Sequence, residues 1–253
     1  MEDEKLPLTS HLEELRKRII VCLIAVGLGF AVSYCFAEQL FAFISRPLAA
    51  VLPPNSSFIF TGITEAFFTY LKLSFFSGVF LASPVIIYEI WKFVAPGLYE
   101  KEKKYVVPFV FFATFFFVCG IVFCYVIVLP AAFKFFVSYN TSTIRMLPSL
   151  GEYLSFTCIF LLAFGVVFEV PVFIICLSKL GVIKEQHLRS NRKLVIIIAF
   201  IIAALLTPTP DAINQSLMAI PIIVLYEISI LAVRFTAKKK PREKINPYTS
   251  PHF

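Results

Sequence analysis

The sequence predicts an all-α, polytopic membrane protein with six transmembrane helices and both termini in the cytoplasm. Hydrophobic residues make up 59% of the 253-residue chain, 30 residues are Phe, and only 15% are charged, a composition that is typical of membrane proteins. The apolar residues form six runs separated by polar loops, and the basic residues fall mostly in alternate loops. These observations exclude a soluble globular domain.

The first element is a polar segment that leads into an apolar run. Within residues 1–18, Ser10 and Glu13 have the spacing of a capping box, and leucines recur at helical spacing, which predicts a short amphipathic helix at the membrane surface. The first span is predicted at about 19–37. Because the segment before it is polar and has no small-residue cleavage site, we expect this span to be retained. Prolines in the next loop, Pro47 among them, predict short surface helices.

The second and third spans are predicted at about 67–94 and 105–130, since both runs are long enough to cross a bilayer. A charged turn at residues 95–104 joins them. Pro130 is expected to end the third span, because proline donates no backbone hydrogen bond and its ring crowds the preceding turn.

The fourth span, predicted at about 153–178, carries the most informative residue of the sequence. Glu169 is the only charged residue between positions 154 and 177. Insertion of a central acid costs about 3 kcal/mol, so such a carboxylate normally faces the protein interior, a wet cavity or a partner. Pro171 should kink the helix beside it. A functional role and a structural hydrogen bond to a neighbouring helix are both open.

The last two spans, predicted at about 194–207 and 213–235, form a short hairpin. The apolar run of the fifth span has 13 residues, so it is roughly 20 Å long against a hydrocarbon core of about 30 Å. We expect this hairpin to stay shallow or to thin the bilayer locally. Asp211, in the turn between the two spans, is placed to cap the sixth helix through its side chain.

The distribution of basic residues predicts the orientation. When compartments alternate from span to span, 19 of the 23 Lys and Arg residues lie on the side of the N-terminus, and the positive-inside rule puts that side in the cytoplasm. The same asymmetry explains the net charge of +7 without a nucleic-acid partner. Residues 1–236 are therefore predicted to form one membrane domain, followed by a basic cytoplasmic tail at 237–253.

Acidic residues also occur in these predicted inner loops, at Glu14, Glu100 and Glu102. A carboxylate held at the membrane surface can receive an arginine through two parallel hydrogen bonds, which lysine cannot reproduce. The spacing also fits ordinary ion pairs within one helix, such as Glu14 with Arg18. Spacing alone favours those local pairs.

No metal or cofactor site is expected. The six cysteines lie in or beside apolar runs without C-x-x-C spacing, which is typical of small buried hydrophobic residues. The three histidines lie outside the predicted spans, and the sequence has no H-E-x-x-H, G-x-S-x-G or P-loop motif. An intramembrane enzyme is therefore disfavoured.

Four long motifs occur in order along the chain: HLEELRKR (His11–Arg18), SPVIIYEIWKFVAPGLYEKEKK (Ser83–Lys104), YLSFTCIFLLAFGVVFEVPV (Tyr153–Val172) and the stretch from LLTPTPD to LMAIPIIVLYEI (Leu205–Ile228). Together they resemble the TatC family, the multi-span component of the twin-arginine protein translocase. The similarity covers about residues 7–236. It implies a six-helix, cupped, non-enzymatic protein of the bacterial inner membrane.

The resemblance also implies partners. The family receives the twin-arginine signal peptides of folded cargo and assembles, in several copies, with the single-span TatA and TatB proteins. The sequence has no nucleotide-binding motif, so the energy must come from elsewhere, and the resemblance implies the proton-motive force. By position in the motifs, Glu14 and Glu102 match the family's signal-binding acids, with Phe93 and Arg16 beside them. The resemblance thus favours a substrate arginine over a purely local ion pair at these acids.

Four further residues receive roles from the same resemblance. Glu169, with Pro171 beside it, matches the intramembrane acid that contacts partner helices. Pro47 matches a loop proline that is tied to function, and Asp211 matches the acidic residue after the fifth span.

A different class of function fits Glu169 equally well. A proton-coupled transporter of small solutes could use this residue as its proton carrier. Such transporters commonly contain inverted repeats, and the fourth-span motif is not repeated in the other half of this sequence.

Overall fold

The structure, a computed structural model, describes residues 8–53, 58–59, 62–94, 106–141, 146–179, 181–207 and 211–237. Within these ranges the regular secondary structure is helical, joined by turns and loops, with an isolated bridge between Ile59 and Ser149, which confirms the predicted all-α fold class. A π-helical turn, Cys124–Val128, lies between two of the helices. The helices are α1 (Leu8–Cys35), α2 (Ala37–Ile44), α3 (Arg46–Ala49), α4 (Glu65–Val94), α5 (Val106–Phe123), α6 (Leu129–Val137), α7 (Leu150–Lys179), α8 (Glu185–Ser190), α9 (Arg192–Leu206) and α10 (Ala212–Ala237).

Five helical segments in the described part of the chain are long and apolar enough to cross a membrane, judged by length and composition. Helix α9, with 15 residues, is roughly 22 Å long and therefore shorter than a typical span. This length agrees with the short fifth apolar run. The count of six spans and the orientation of the termini stay predictions. The five segments are Ser10–Cys35, Glu65–Phe93, Val107–Val137, Leu150–Lys179 and Ala212–Phe235.

The N-terminal helix differs from its prediction. Helix α1 runs from Leu8 to Cys35 as one element, so there is no separate amphipathic helix at the membrane surface. Ser10 lies inside α1 and is not its N-cap, so the capping box with Glu13 was wrong. Helical spacing of leucines is the same in a helix that lies on a membrane and in one that enters it, and the pattern could not separate the two.

The third apolar run also continues further than predicted. Pro130 lies in the first turn of α6, directly after the π-helical turn, and the helix extends to Val137. A π-helical turn shifts the backbone hydrogen-bond pattern by one residue. With the pattern shifted, the helix tolerates the absence of the N–H group that proline lacks, so the helix continues through Pro130.

Helices α1 and α4 pack at the distance of backbone contact. A Cβ atom added at Gly29 would lie 2.7 Å from the carbonyl oxygen of Gly78, and one added at Gly78 would lie 2.6 Å from the amide nitrogen of Phe30. Both distances are below van der Waals contact. Small residues of this kind let transmembrane helices approach closely, and here they align the N-terminal turns of α1 with the last turns of α4.

Helix α7 lies at the centre of the core and packs against α4, α5 and α10. Leu154, Phe160 and Phe164 are fully buried on it, and the rings of Phe156 and Phe160 have centroids 4.2 Å apart. The helix that carries Glu169 is therefore the most enclosed of the long helices, with half of its span buried.

Two short helices, α2 and α3, form a strap (residues 37–49) after α1, as the prolines of this loop predicted. Tyr125 Oη donates a hydrogen bond to the carbonyl oxygen of Phe43 at 2.7 Å. Tyr153 Oη donates to the carbonyl oxygen of Ile44 at 2.5 Å. The strap is thereby fastened to the π-helical turn and to the start of α7.

The same end of α7 is joined to the start of α4 by Glu65. Its Oε1 accepts hydrogen bonds from Ser149 Oγ at 2.7 Å and from the amide of Gly151 at 2.8 Å. The bridge between Ile59 and Ser149 lies beside this contact. The connections that precede α4 and α7 are therefore held together by a carboxylate that the sequence did not single out.

The glycine contact gives a test of the helix packing. We expect Gly29→Leu to destabilise the protein by about 1–3 kcal/mol, because the new side chain would overlap the backbone of α4. Gly27→Leu is the matched control, since a Cβ at Gly27 meets nothing within 4 Å. Thermal unfolding of the detergent-solubilised variants measures both. Equal losses of stability in the two variants would contradict the packing described here.

Candidate functional site

A cluster of charged side chains lies where the start of α1 meets the end of α4. We call this region the inner end, after its predicted orientation, and define it as residues 11–18 of α1 and 89–93 of α4. Arg18 lies between two acids: its Nη2 pairs with Glu14 Oε1 on the same helix, and its Nη1 donates to Glu89 Oε2 at 2.9 Å. The side chains of Arg18 and Glu89 are each 12% exposed, whereas that of Glu14 is 30% exposed. Of the two acids that pair with Arg18, Glu14 is thus the one that is more open to an incoming group.

An aromatic pair lies beside these charges. The rings of His11 and Phe93 stack with their centroids 4.4 Å apart and an interplanar angle of 18°. This contact joins the first turns of α1 to the last turn of α4, so it brings Phe93 to the same end as Glu14. Arg16, also on α1, is exposed.

Phe93 and Arg16 thus lie in one region with Glu14, whereas two of the predicted inner acids are not described. Glu102 lies outside the described residues, as does Glu100. The approach of Glu14 and Glu102 therefore stays a prediction. The local ion pair of Glu14 with Arg18 is confirmed, but it is part of a larger cluster.

Glu89 is the member of the cluster that the sequence analysis missed. Its pairing with Arg18 joins positions 71 residues apart, and no local spacing rule reports such a contact. The sequence did contain a signal for this contact. Glu89 is an acid close to the end of the second span, and a basic run lies at the corresponding end of the first span. Antiparallel packing of the two spans would have placed these charges at one level.

Glu169 lies on α7 in an apolar groove of about 320 Å³ between α4 and α7. Its Oε1 is buried and has no hydrogen-bond partner among the described residues. Leaving a buried polar atom without a hydrogen-bond partner costs free energy, and the contacts among the described residues do not satisfy this oxygen of Glu169. The residues that line it with Glu169 are Ile87, Ile90, Trp91, Val166, Val170, Phe173 and Ile174.

Pro171 lies inside α7, buried, two residues beyond Glu169. Proline in a helix interior leaves the carbonyl four residues earlier without its usual donor, and here that is the carbonyl of Val167. Pro171 faces a second apolar groove of about 330 Å³, which α7 shares with α5. The two grooves flank the same segment of α7.

Pro47 and Asp211 lie away from the inner end. Pro47 is buried in the first turn of α3, within the strap. Asp211 precedes α10, and its Oδ1 accepts the amide hydrogen of Asn214 at 2.7 Å while its Oδ2 accepts from Asn214 Nδ2 at 2.9 Å. This is the predicted N-cap of α10. The structure therefore does not bring Pro47 or Asp211 to the inner cluster.

No group of three or more His, Cys, Asp or Glu side chains suited to a metal ion occurs among the described residues. None of the described cysteines forms a disulfide bond.

Comparison with known proteins gives one consistent family. The model of the family described as Sec-independent protein translocase protein (TatC) matches residues 10–221. A protein named Sec-independent protein translocase protein TatC from Desulforapulum autotrophicum is 49% identical over 243 residues, which cover 96% of this chain and 90% of that protein. Its namesake from Escherichia coli K12 is 40% identical over 239 residues, covering 94% and 92% of the two chains.

A solved structure agrees with these relatives. The crystal structure described as the twin arginine translocase receptor TatC superposes with a TM-score of 0.80 at 38% sequence identity. The match covers 90% of this chain and 99% of that one.

The cap at α10 can be tested separately from any role of the Asp211 charge. We expect Asp211→Ala to destabilise the first turn of α10 by about 1 kcal/mol, because it removes the acceptor for the amide of Asn214. Asp211→Asn retains an acceptor and should stay close to the wild type. Hydrogen exchange of peptides that cover residues 212–215 measures the effect. If the asparagine variant exchanges as fast as the alanine variant, the charge matters more than the cap.

Proposed function

Since the chain belongs to the TatC family of Sec-independent protein translocase proteins, we propose that it is the subunit that binds the twin-arginine signal peptides of folded cargo. It acts in the bacterial inner membrane with both termini in the cytoplasm. There it organises TatA-like and TatB-like single-span partners in a multi-copy complex, and export draws on the proton-motive force. The solved relative bears the name of a translocase receptor, which supports this role.

The observation that carries the proposal is the half-open carboxylate of Glu14 at the inner end. A carboxylate and a guanidinium group form two parallel, charge-assisted hydrogen bonds, and this geometry selects arginine over lysine. Glu14 is 30% exposed beside a buried arginine, so one side of it is open to a peptide. Phe93, stacked on His11, provides an apolar surface next to this acid.

Glu102 supplies the second acid in this proposal. A twin-arginine peptide carries two guanidinium groups, and two carboxylates at the inner surface can read both of them. Arg16 lies in the same motif as Glu14 and is exposed. It belongs to the inner surface that the peptide approaches.

The groove of Glu169 is the proposed contact for a partner helix. Its walls are apolar, as the side of a membrane helix requires, and the unpartnered Oε1 of Glu169 is a fixed point for a polar group on the incoming helix. A single interhelical hydrogen bond in lipid contributes only about 1 kcal/mol. The acid therefore sets the register of the partner helix, and apolar packing provides most of the affinity. Pro171 shapes the adjoining stretch of α7.

Pro47 and Asp211 contribute from the other end. Buried Pro47 fixes the strap, whose carbonyl oxygens receive the hydrogen bonds of Tyr125 and Tyr153. Asp211 caps α10 and so sets the start of the short hairpin that α9 and α10 form. Both residues hold connections that a translocating complex must keep in place.

A proton-coupled transporter is the alternative that the unpartnered oxygen of Glu169 also fits. Membership of the TatC family favours the translocase, because the family is a translocase component and not an enzyme or a solute carrier. A change from Arg-Arg to Lys-Lys in an added leader peptide separates the two functions. Solute transport would be indifferent to that change.

The first prediction from the proposed function concerns the inner acids. Changing both Glu14→Gln and Glu102→Gln should reduce crosslinking to a twin-arginine signal peptide by about tenfold or more, because each change removes a charge-assisted hydrogen bond. Crosslinking in membrane vesicles with a photoreactive leader peptide measures this loss. Insertion of the double variant into the membrane should be the same as that of the wild type.

Glu13→Gln is the matched control for this experiment, since Glu13 is the exposed neighbour of Glu14. It should crosslink as the wild type does. Undiminished crosslinking in the double variant would reject the receptor site.

The second prediction concerns the groove. Glu169→Ala should leave signal-peptide crosslinking intact and weaken crosslinks between the groove and a partner helix by severalfold, because it removes the polar fixed point. A cysteine introduced at Phe173, which lines the groove and is half exposed, reports those crosslinks. Val166→Ala, on the same wall of the groove, is the control. Normal partner crosslinks and normal export in Glu169→Ala would remove the groove from the proposal.

A further inference from the structure

Arg18 already occupies the carboxylate that the proposed function reserves for a substrate arginine. Its Nη2 pairs with Glu14, and its Nη1 donates to Glu89 at 2.9 Å. The two contacts use both terminal nitrogens of the guanidinium group. Arg18 holds Oε1 of Glu14, so a peptide arginine that takes both oxygens of this carboxylate in a two-pronged pair must displace Arg18.

The three side chains in direct contact, Glu14, Arg18 and Glu89, leave room for one more guanidinium group. The cation of Lys92, which lies over the ring of Tyr88, also acts on Glu14. Glu14 and Glu89 provide two negative charges, and Arg18 provides one positive charge. A pair of Glu14 with Arg18 alone would be neutral and would attract a further arginine weakly. Because Glu89 is present, the three side chains in contact carry one excess negative charge, which an incoming guanidinium group neutralises.

Glu89 also gives the displaced arginine a partner. Arg18 is 12% exposed, and a buried guanidinium group without a carboxylate is strongly disfavoured. Glu89 lies on α4, so its hold on Arg18 does not depend on Glu14. When Nη2 is released from Glu14, Glu89 can accept hydrogen bonds from both terminal nitrogens in the end-on fork that arginine favours.

From these contacts we propose that Arg18 is an internal placeholder for the substrate arginine, and that Glu89 is the positioning residue that receives Arg18 when the peptide binds Glu14. This inference rests on the proposed function and assigns Glu89 a place in the same site. It also explains selectivity for arginine, because a lysine ammonium cannot form the fork needed to compete with a bound guanidinium group.

Peptide binding to the full-length protein in detergent tests the exchange. The probe is a fluorescent leader peptide that contains Arg-Arg, compared with the same peptide containing Lys-Lys. Glu89→Gln should weaken binding of the Arg-Arg peptide by about tenfold, because Arg18 then stays on Glu14. Adding Arg18→Gln to Glu89→Gln should restore the affinity to within about threefold of the wild type, since Glu14 is then free.

Two further variants separate this exchange from a merely structural role. Arg18→Gln alone should bind the Arg-Arg peptide at least as tightly as the wild type and should discriminate less between the Arg-Arg and Lys-Lys peptides. Glu185→Gln is the control, because Glu185 forms a similar pair with Arg189 at 2.7 Å in a different part of the chain. It should bind as the wild type does. Melting temperatures verify that each variant is folded.

The outcomes distinguish the inference from its premise. If the wild type does not bind the Arg-Arg peptide, the proposed function is wrong. If the wild type binds it and Glu89→Gln binds equally well, the role of Glu89 is wrong while the receptor function stands. The placeholder role of Arg18 would also be wrong if Arg18→Gln did not restore binding to Glu89→Gln. It would equally be wrong if Arg18→Gln alone lost binding.

Discussion

Backbone contact between α1 and α4 determines where the charged groups of the inner end lie. The contact at Gly29 and Gly78 leaves no room for a Cβ on either helix, so the two helices cannot slide past each other without a clash. Arg18 lies 11 residues before Gly29, and Glu89 lies 11 residues after Gly78. At 1.5 Å per residue, each charge is roughly 16 Å from the glycine contact along its own helix. This equal spacing brings the two charges to one level.

The protein treats its charges at the inner end and inside the apolar core in opposite ways. At the inner end, Arg18 is shared by Glu14 and Glu89, so each buried charge has a partner within the chain. In the groove, Glu169 has a buried oxygen without a partner among the described residues. A compensated cluster can exist before its ligand arrives and exchange partners afterwards. The carboxyl in the apolar groove lacks such compensation, and in the proposed function a partner helix supplies it.

Local rules of sequence were sufficient for some of these features and insufficient for others. The all-helical fold, the strap, the short α9 and the cap at Asp211 follow from apolar run lengths, prolines and spacing within a few residues. The continuity of α1 did not follow, because helical periodicity does not report the angle at which a helix meets the membrane. The helix beyond Pro130 did not follow either, since it depends on a π-helical turn that no single residue announces.

At the inner site, too, local sequence rules were sufficient for some features and insufficient for others. Glu14 and Phe93 were singled out through motifs, and their role stays a prediction, whereas the pair of Glu14 with Arg18 was predicted from its spacing and is confirmed. Glu89 was missed because its contact with Arg18 spans 71 residues and depends on how two spans pack. The physical chemistry of isolated acids leaves these positions open between a local ion pair and a docking point, and their proposed role rests on membership of the TatC family.

The hydrogen bond from Tyr153 to the strap has a mechanical consequence. Tyr153 and Glu169 lie 16 residues apart on α7, roughly 24 Å along the helix axis. Because one end of this rod is fastened to the strap that contains Pro47, a tilt imposed at the strap also displaces the acid in the groove. Helix α7 thus relates the position of the acid to that of the strap through a single helical segment.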